Sequence, residues 1–191
     1  MQNLVDLDLQ NPLKVLRQQV GITSIEGMSK IANIRTAAIG QAEEGFYPNP
    51  LPAYLLALGI RPGTNSEEDV IQKYKAYQSN KRKLNGPLHD PKLILNPKFS
   101  SNEHPLVTWR RQSGLATYGF CSAYCIHMPT VNRFEKDIIE INENPPTVIL
   151  NSLKEAGYEL EEFVEACIIY KATLLNNFRT LNNLPPVGAV G

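Results

Sequence analysis

The sequence predicts an all-α protein built as two small helical bundles in tandem, and three observations carry that prediction. Apolar residues recur at helical spacing, no alternating strand pattern competes with them, and one segment returns in order further along the chain. The stretch Asn11-Pro12-Leu13-Lys14-Val15-Leu16-Arg17-Gln18-Gln19-Val20-Gly21-Ile22 comes back as His104-Pro105-Leu106-Val107-Thr108-Trp109-Arg110-Arg111-Gln112-Ser113-Gly114-Leu115. Its proline, leucine, Arg/Gln pair and glycine recur at an offset of 93 (105 − 12), and after a one-residue slip the match resumes at 92. Gly27-Met28-Ser29 then corresponds to Gly119-Phe120-Cys121, Ile34 to Ile126, Ile39 to Val131 and Glu43 to Glu135. Further on, Asn49-Pro50 and Leu55-x-x-Leu58 echo Asn144-Pro145 and Leu150-x-x-Leu153. Few residues are identical, but order and spacing persist, which reads as an internal duplication.

Each copy divides into short helices. In the first, Leu13, Leu16 and Val20 mark one face of a helix from Pro12 to Val20, ended by Gly21. Ser24 is placed to cap a second helix to about Ala32, with Met28 and Ile31 facing inward. A tight turn at Asn33-Ile34 leads to a third helix, about Thr36 to Glu44, closed by Gly45. Pro52 to Leu58 forms a fourth, ended by Gly59. Ser66-Glu67-Glu68-Asp69 opens a fifth, its acidic first turn favoured by the helix dipole, and this helix runs to about Leu84.

The second copy follows the same plan. Pro105 to Ser113 is its first helix, with Trp109 in the place of Leu16. Thr117 is placed to cap the second helix, and Pro129 falls in the first turn of the third, where a missing amide costs little. Thr147 to Ala156 and roughly Leu160 to Leu181 supply the rest. Residues 85–103 hold Gly86-Pro87, Asp90-Pro91 and Asn96-Pro97 and read as an extended Pro-rich linker, while residues 184–191 read as a loose tail. The expected organisation is therefore a domain over 1–84, a linker over 85–103, a domain over 104–183 and a tail over 184–191.

An apolar fraction of 42% and a charged fraction of 20% suit a soluble globular chain. No apolar run approaches the length that spans a bilayer, so no membrane association is expected. Met1-Gln2-Asn3-Leu4 opens no basic region followed by an apolar stretch, and a cytoplasmic address is expected by default. Formal net charge is zero; residues 1–63 hold 5 basic and 5 acidic side chains, residues 64–103 hold 7 and 5, and residues 104–191 hold 7 and 9. Non-specific affinity for phosphate should thus be modest unless basic residues gather on one face.

Nothing in the chain favours an enzyme. Gly63 and Gly86 stand alone rather than in a phosphate-binding loop, and His89, His104 and His127 are scattered without partners at ligand spacing. Cys121 and Cys125, four apart, share a helix face with only His127 nearby, so buried cysteines in a reducing compartment are expected together with Cys167. No cofactor or metal is expected.

The spacing within each copy resembles the Cro/CI-type helix-turn-helix family of bacterial and phage regulators. That pattern sets an apolar and a small residue before a turn, an inward aliphatic beyond it, then Glu-x-Gly. The first copy supplies Met28, Ser29, Asn33-Ile34, Ile39 and Glu43-Glu44-Gly45. It has one extra residue near Thr23-Ser24, and its Asn33 stands at the usual glycine, where asparagine tolerates a left-handed turn. The second supplies Phe120, Cys121, Cys125-Ile126, Val131 and Glu135, with Cys125 at the turn glycine and Lys136-Asp137 at the closing one. The resemblance covers residues 11–59 and 104–157 and implies two lambda-repressor-like bundles.

In this family the third helix enters the major groove with its N-terminal residues on base edges. The resemblance therefore assigns base contacts to Arg35, Thr36, Ala37 and Gln41 in the first copy, and to His127, Met128, Thr130, Asn132 and Arg133 in the second. It assigns phosphate contacts to Ser24, Thr117 and Tyr118 at the start of the second helices, and to Arg17, Arg110 and Arg111 on the first helices. On that basis Arg133→Ala should relax base preference at one position and Arg110→Ala should weaken all DNA alike. Trp109, Phe120 and Phe134 are expected in the core, and Lys73, Lys75, Lys81, Arg82 and Lys83 either on the wet face of a long helix, the favoured reading, or against the phosphate backbone.

What the resemblance implies is a sequence-specific regulator of transcription on double-stranded DNA, of phage or mobile-element type. The rival expectation is a protein-interaction adaptor or assembly factor using degenerate units; an accessory DNA-binding protein of replication or packaging would share the fold. A homo-oligomer would multiply the heads.

Overall fold

The computed structural model describes residues 10–45, 51–86, 97–136 and 145–185. Among them the chain forms ten helices and no strand, in agreement with the all-α expectation. The first half holds α1 (Pro12–Gln19), α2 (Ile25–Ala32), α3 (Thr36–Glu44), α4 (Leu51–Ala57) and α5 (Asn65–Leu84). The second holds α6 (Pro105–Gln112), α7 (Thr117–Tyr124), α8 (Met128–Lys136), α9 (Thr147–Glu155) and α10 (Glu161–Leu181).

Ser24 caps its helix as expected, and two further caps, Asn11 and His104, were not assigned from the sequence. Asn11 Oδ1 accepts from the Leu13 amide at 2.8 Å, and at the matching place His104 Nδ1 accepts from Leu106 at 3.1 Å. Each cap is followed by a proline that needs no partner for an amide it lacks. Ser24 Oγ accepts from Gly27 at 2.9 Å. In the second half the capping position belongs to Ala116, which brings no side-chain bond, and Thr117 is the first helical residue rather than the cap.

Both second helices end on one left-handed residue, Asn33 (φ 53°, ψ 42°) and Cys125 (φ 54°, ψ 44°). The next amide, Ile34 or Ile126, then reaches back to Ser29 or Cys121. Asparagine relieves the strain of this conformation better than cysteine, for which it costs on the order of 1–2 kcal/mol. Cys125 thus lies beyond the helix and does not share a helix face with Cys121.

Apolar burial forms two clusters, one in each half. Leu13, Met28, Ile39, Tyr54, Leu55, Val70 and Tyr74 form the first; Leu106, Trp109, Phe120, Val131, Leu153 and Phe163 anchor the second. Two expected core residues are instead on the surface. Val20 is exposed because it is the residue that caps α1, and Ile31 is exposed because α2 turns Met28 and Ala32 toward α3 and α4. Phe134 is half-buried, its ring edge-on to His104 at 4.7 Å.

The fourth helices match in a different register from the one the sequence suggested. Ile60 N bonds Leu55 O at 2.9 Å around Gly59, and Tyr158 N bonds Leu153 O at 3.1 Å around Gly157. Leu55 therefore corresponds to Leu153, not Leu150. The third and fourth helices are joined by connections of unequal length, so an ungapped comparison slips there. Asn49-Pro50 and Asn144 lie outside the described residues.

Residues 85–103 are not a free linker throughout. Asn85 and Gly86 close α5, and residues 87–96 lie outside the described set. Phe99 packs against Trp109 and Phe163 with ring centroids 6.4 and 5.9 Å away, so this end of the segment belongs to the second core. Of the expected tail, Leu184 and Pro185 are exposed, with the Pro185 carbonyl accepting from Arg179 Nε; residues 186–191 lie outside the described set.

The helix α5 runs from the first core to the second. Lys81 Nζ donates to Glu44 O at 2.6 Å and to Ser122 Oγ at 3.3 Å, and Ser122 Oγ donates to Glu44 Oε2 at 3.0 Å. Arg82 Nε donates to Tyr124 O at 3.0 Å while its Nη1 pairs with Glu155 at 2.6 Å. Two residues expected on a wet helix face therefore bolt the halves together, and Lys73 pairs with Asp69 on the surface.

Candidate nucleic-acid interface

Each half carries an arginine on its first helix and a glutamate near the end of its third, and the fold joins them in the same way. Arg17 Nε and Nη2 donate to Glu43 at 2.7 and 2.9 Å, and Nη1 donates to Ile22 O at 2.8 Å. Arg110 Nε and Nη2 donate to Glu135 at 2.8 and 3.1 Å, and Nη1 donates to Leu115 O at 3.2 Å. Tyr54 adds its hydroxyl to Glu43 at 2.8 Å. The carboxylate raises the Arg17 pKa further through hydrogen bonding and charge, against a smaller lowering by burial.

These pairs correct the assignment of Arg17 and Arg110 to phosphate. Arg17 is 3% exposed, and its planar fork is spent on one carboxylate and one carbonyl inside the molecule. The Arg110 side chain is 12% exposed and held likewise. Their task is to fix the first helix to the third and to the loop that precedes the second, so that the turn and the third helix keep their place. Arg111 stays on the surface and pairs with Glu103.

Of the base-contact candidates, Arg35, Thr36 and Ala37 are exposed where α3 begins. Thr36 Oγ1 bonds Ser29 Oγ at 3.2 Å, tying this end to α2. Gln41 is half-buried. In the second half Arg133 is exposed, while His127, Thr130 and Asn132 are half-buried and Met128 packs on the core cluster. Partial burial lowers the His127 pKa. So the first half presents a compact exposed group at the head of its third helix; the second draws more of its group inward.

The phosphate candidates at the second helices also differ between halves. Ser24 is exposed, and its hydroxyl satisfies one of the first-turn amides of α2. Thr117 is half-buried. Tyr118 is half-exposed beside Glu44 of the first half; burial, then the hydrogen bond to that carboxylate, raises its hydroxyl above the ordinary value. A carboxylate at this point opposes an anion.

Cys121, Cys125 and Cys167 are free and buried, and burial pushes the Cys121 and Cys167 thiols up to about 12. Cys125 faces the junction, its Sγ 3.9 Å from Gln78 O. His104 is a helix cap, its ring also bonded to the Phe134 backbone, with burial lowering its pKa to about 4.

Sequence reasoning missed the junction residues Lys81 and Arg82. The one available signal was the contrast with the matching stretch of α10, where leucines replace them. No family model, curated protein or solved structure matches this chain.

Proposed function

We propose that the chain is a sequence-specific double-stranded DNA-binding transcription regulator with two helix-turn-helix heads, of the Cro/CI-like kind. The observation that carries this reading is the repeated unit: a second helix, one left-handed residue, and a third helix, braced each time by the same arginine–glutamate pair. A braced unit of this kind holds a helix end rigidly, which is what base readout requires. In the first head, Arg35 would reach a guanine edge, Thr36 and Ala37 would meet a base or a thymine methyl, and Ser24 would mark the phosphate side. In the second, Arg133 with His127 and Asn132 would read a different sequence, so the whole site would be asymmetric.

A second reading, a protein-interaction adaptor, draws on the Glu44 carboxylate beside Tyr118 and on the net charge of zero. Selection of the purified chain against a random duplex library, followed by titration of the winner across salt, separates the two. The DNA reading expects an enriched two-part motif and a salt slope from phosphate contacts. Absence of enrichment together with no binding at low salt would sink it.

A further inference from the structure

The end of α3 touches the second half directly. Glu44, its last residue, offers its carbonyl to Lys81 Nζ at 2.6 Å, and its carboxylate accepts from the Ser122 hydroxyl on α7 at 3.0 Å. Gly45 closes the helix at φ 95°, and its carbonyl accepts from Gln78 Nε2 of α5. A β-carbon at Gly45 would stand 2.9 Å from the Tyr77 ring and 3.4 Å from Cys125 Sγ. Gly45 is thus held between α5 and Cys125, the left-handed residue that turns α7 toward α8. The end of one third helix abuts the turn that places the other.

The last turns of α5 lock this contact. Lys81 Nζ donates to Ser122 Oγ at 3.3 Å as well as to Glu44 O, so one ammonium holds the end of α3 and the body of α7 together. Arg82 grips the last residue of α7 through Tyr124 O at 3.0 Å, and α9 through Glu155 at 2.6 Å. The Tyr124 hydroxyl donates back to Asn85 O at 3.3 Å. Two bundles on one chain ordinarily move relative to each other. Here polar bonds at successive points along one helix run to two helices of the other half, and they resist rotation as well as separation.

We infer, on the reading of both halves as DNA-binding heads, that Lys81 and Arg82 are positioning residues that set which spacing of half-sites the chain accepts. They hold α3 and α8 at one separation and one relative angle, so the two parts of the target must stand at one spacing and orientation. Heads on a loose tether would accept many.

Two measurements on the full chain test this. Relaxation of the backbone amides by NMR, without DNA, reads the coupling of the halves. Selection from a random duplex library, then titration of the winner with base pairs inserted between its two parts, reads the spacing. Wild type should show one tumbling time for both halves and one spacer length among selected sequences. Inserting about five base pairs, half a helical turn, should cost about 100- to 10,000-fold in affinity, the advantage of a second linked head. Lys81→Ala with Arg82→Ala should tumble as two bodies, select several spacer lengths and lose at least about tenfold less on the same insertion. Its affinity for each part alone should match wild type, which separates positioning from contact with DNA. Circular dichroism shows whether the double variant is folded, and the wild-type measurements do not depend on it. Two tumbling times in wild type, or a selected motif with variable spacing or only one part, would overturn the inference. A folded double variant as strict about spacing as wild type would overturn the assignment to Lys81 and Arg82. No enrichment and no binding at low salt would sink the DNA reading and take the spacing with it, and a single tumbling time would then locate the failure in DNA binding rather than in the coupling.

Discussion

Arg17 grips the Glu43 carboxylate from two nitrogens, at 2.7 and 2.9 Å, in a place that leaves the arginine 3% exposed. Removing one partner of such a pair strands a buried charge, with a cost of about 3–5 kcal/mol, whereas replacing both by apolar residues is often neutral. Arg17→Ala should therefore lower the unfolding free energy by about that much, and Arg17→Met with Glu43→Leu should recover most of it. Urea titrations of the three proteins measure this. An Arg17→Ala loss below about 1 kcal/mol would contradict a buried, matched pair. Arg110→Ala should act in the same direction and less strongly, since Arg110 is the more exposed of the two arginines.

Arg82 links the halves through Tyr124 O and Glu155, beside the thiol of Cys125. Arg82→Ala should loosen the junction without unfolding either core. Cys125 should then react with a thiol reagent at pH 8 well before Cys121 and Cys167, whose thiols are held protonated near 12. Mass mapping of the modified cysteine over time reads the order. Equal rates at all three sites would mean that the junction does not open separately.

Gly86 lies where a β-carbon would come 1.7 Å from Ala156 O and 2.7 Å from its carbonyl carbon. These are backbone atoms, so Gly86→Ala must displace the end of α5 from the end of α9. Faster amide exchange at the C-terminal turn of α9, with exchange around Met28 unchanged, is the expected signature in hydrogen-exchange mass spectrometry.

His104 caps α6 through a neutral ring nitrogen, and burial lowers its pKa from 6.5 to about 4. The unfolded chain takes up this proton below about pH 6.5 and the folded chain only below about 4. Stability from this group is therefore full above 6.5 and declines as pH falls toward 4, by roughly 3 kcal/mol in all. His104→Asn installs the cap that Asn11 uses in the first half and should flatten that acid limb. Unfolding free energies at several pH values between these limits provide the check.

If the third helices read DNA, Arg35→Ala should relax preference at one base position in one half of the site, and Arg133→Ala at one position in the other half, each by about 1–3 kcal/mol. Arg110→Ala should act through stability and not as a uniform loss of phosphate affinity. Competition binding against single-base variants of the selected duplex resolves the three cases.

Much of this architecture could be read along the chain. Ser24 starts a helix by a bond that spans three residues, and Pro12 and Pro105 stand in first turns, where a missing amide costs little. Asn33 announced a left-handed turn, and the spacing of Leu13, Met28 and Ile39 announced a core. Ile31 misled because its helical spacing is the same whether it faces a partner helix or water.

What the sequence by itself determined is the set of helices, their order and the recurrence of one unit in two halves, because caps, turns and apolar periodicity act within a few residues. Tertiary structure decided where the charges went. Arg17 finds its carboxylate 26 residues away, Arg82 finds its own 73 away, and Lys81 reaches a hydroxyl 41 away. A guanidinium has the same local sequence signature on a wet surface as in a buried pair. Only the packing of α3 on α1 and of α5 on α7 and α9 brings the oxygens within reach and excludes the water that would otherwise take their place.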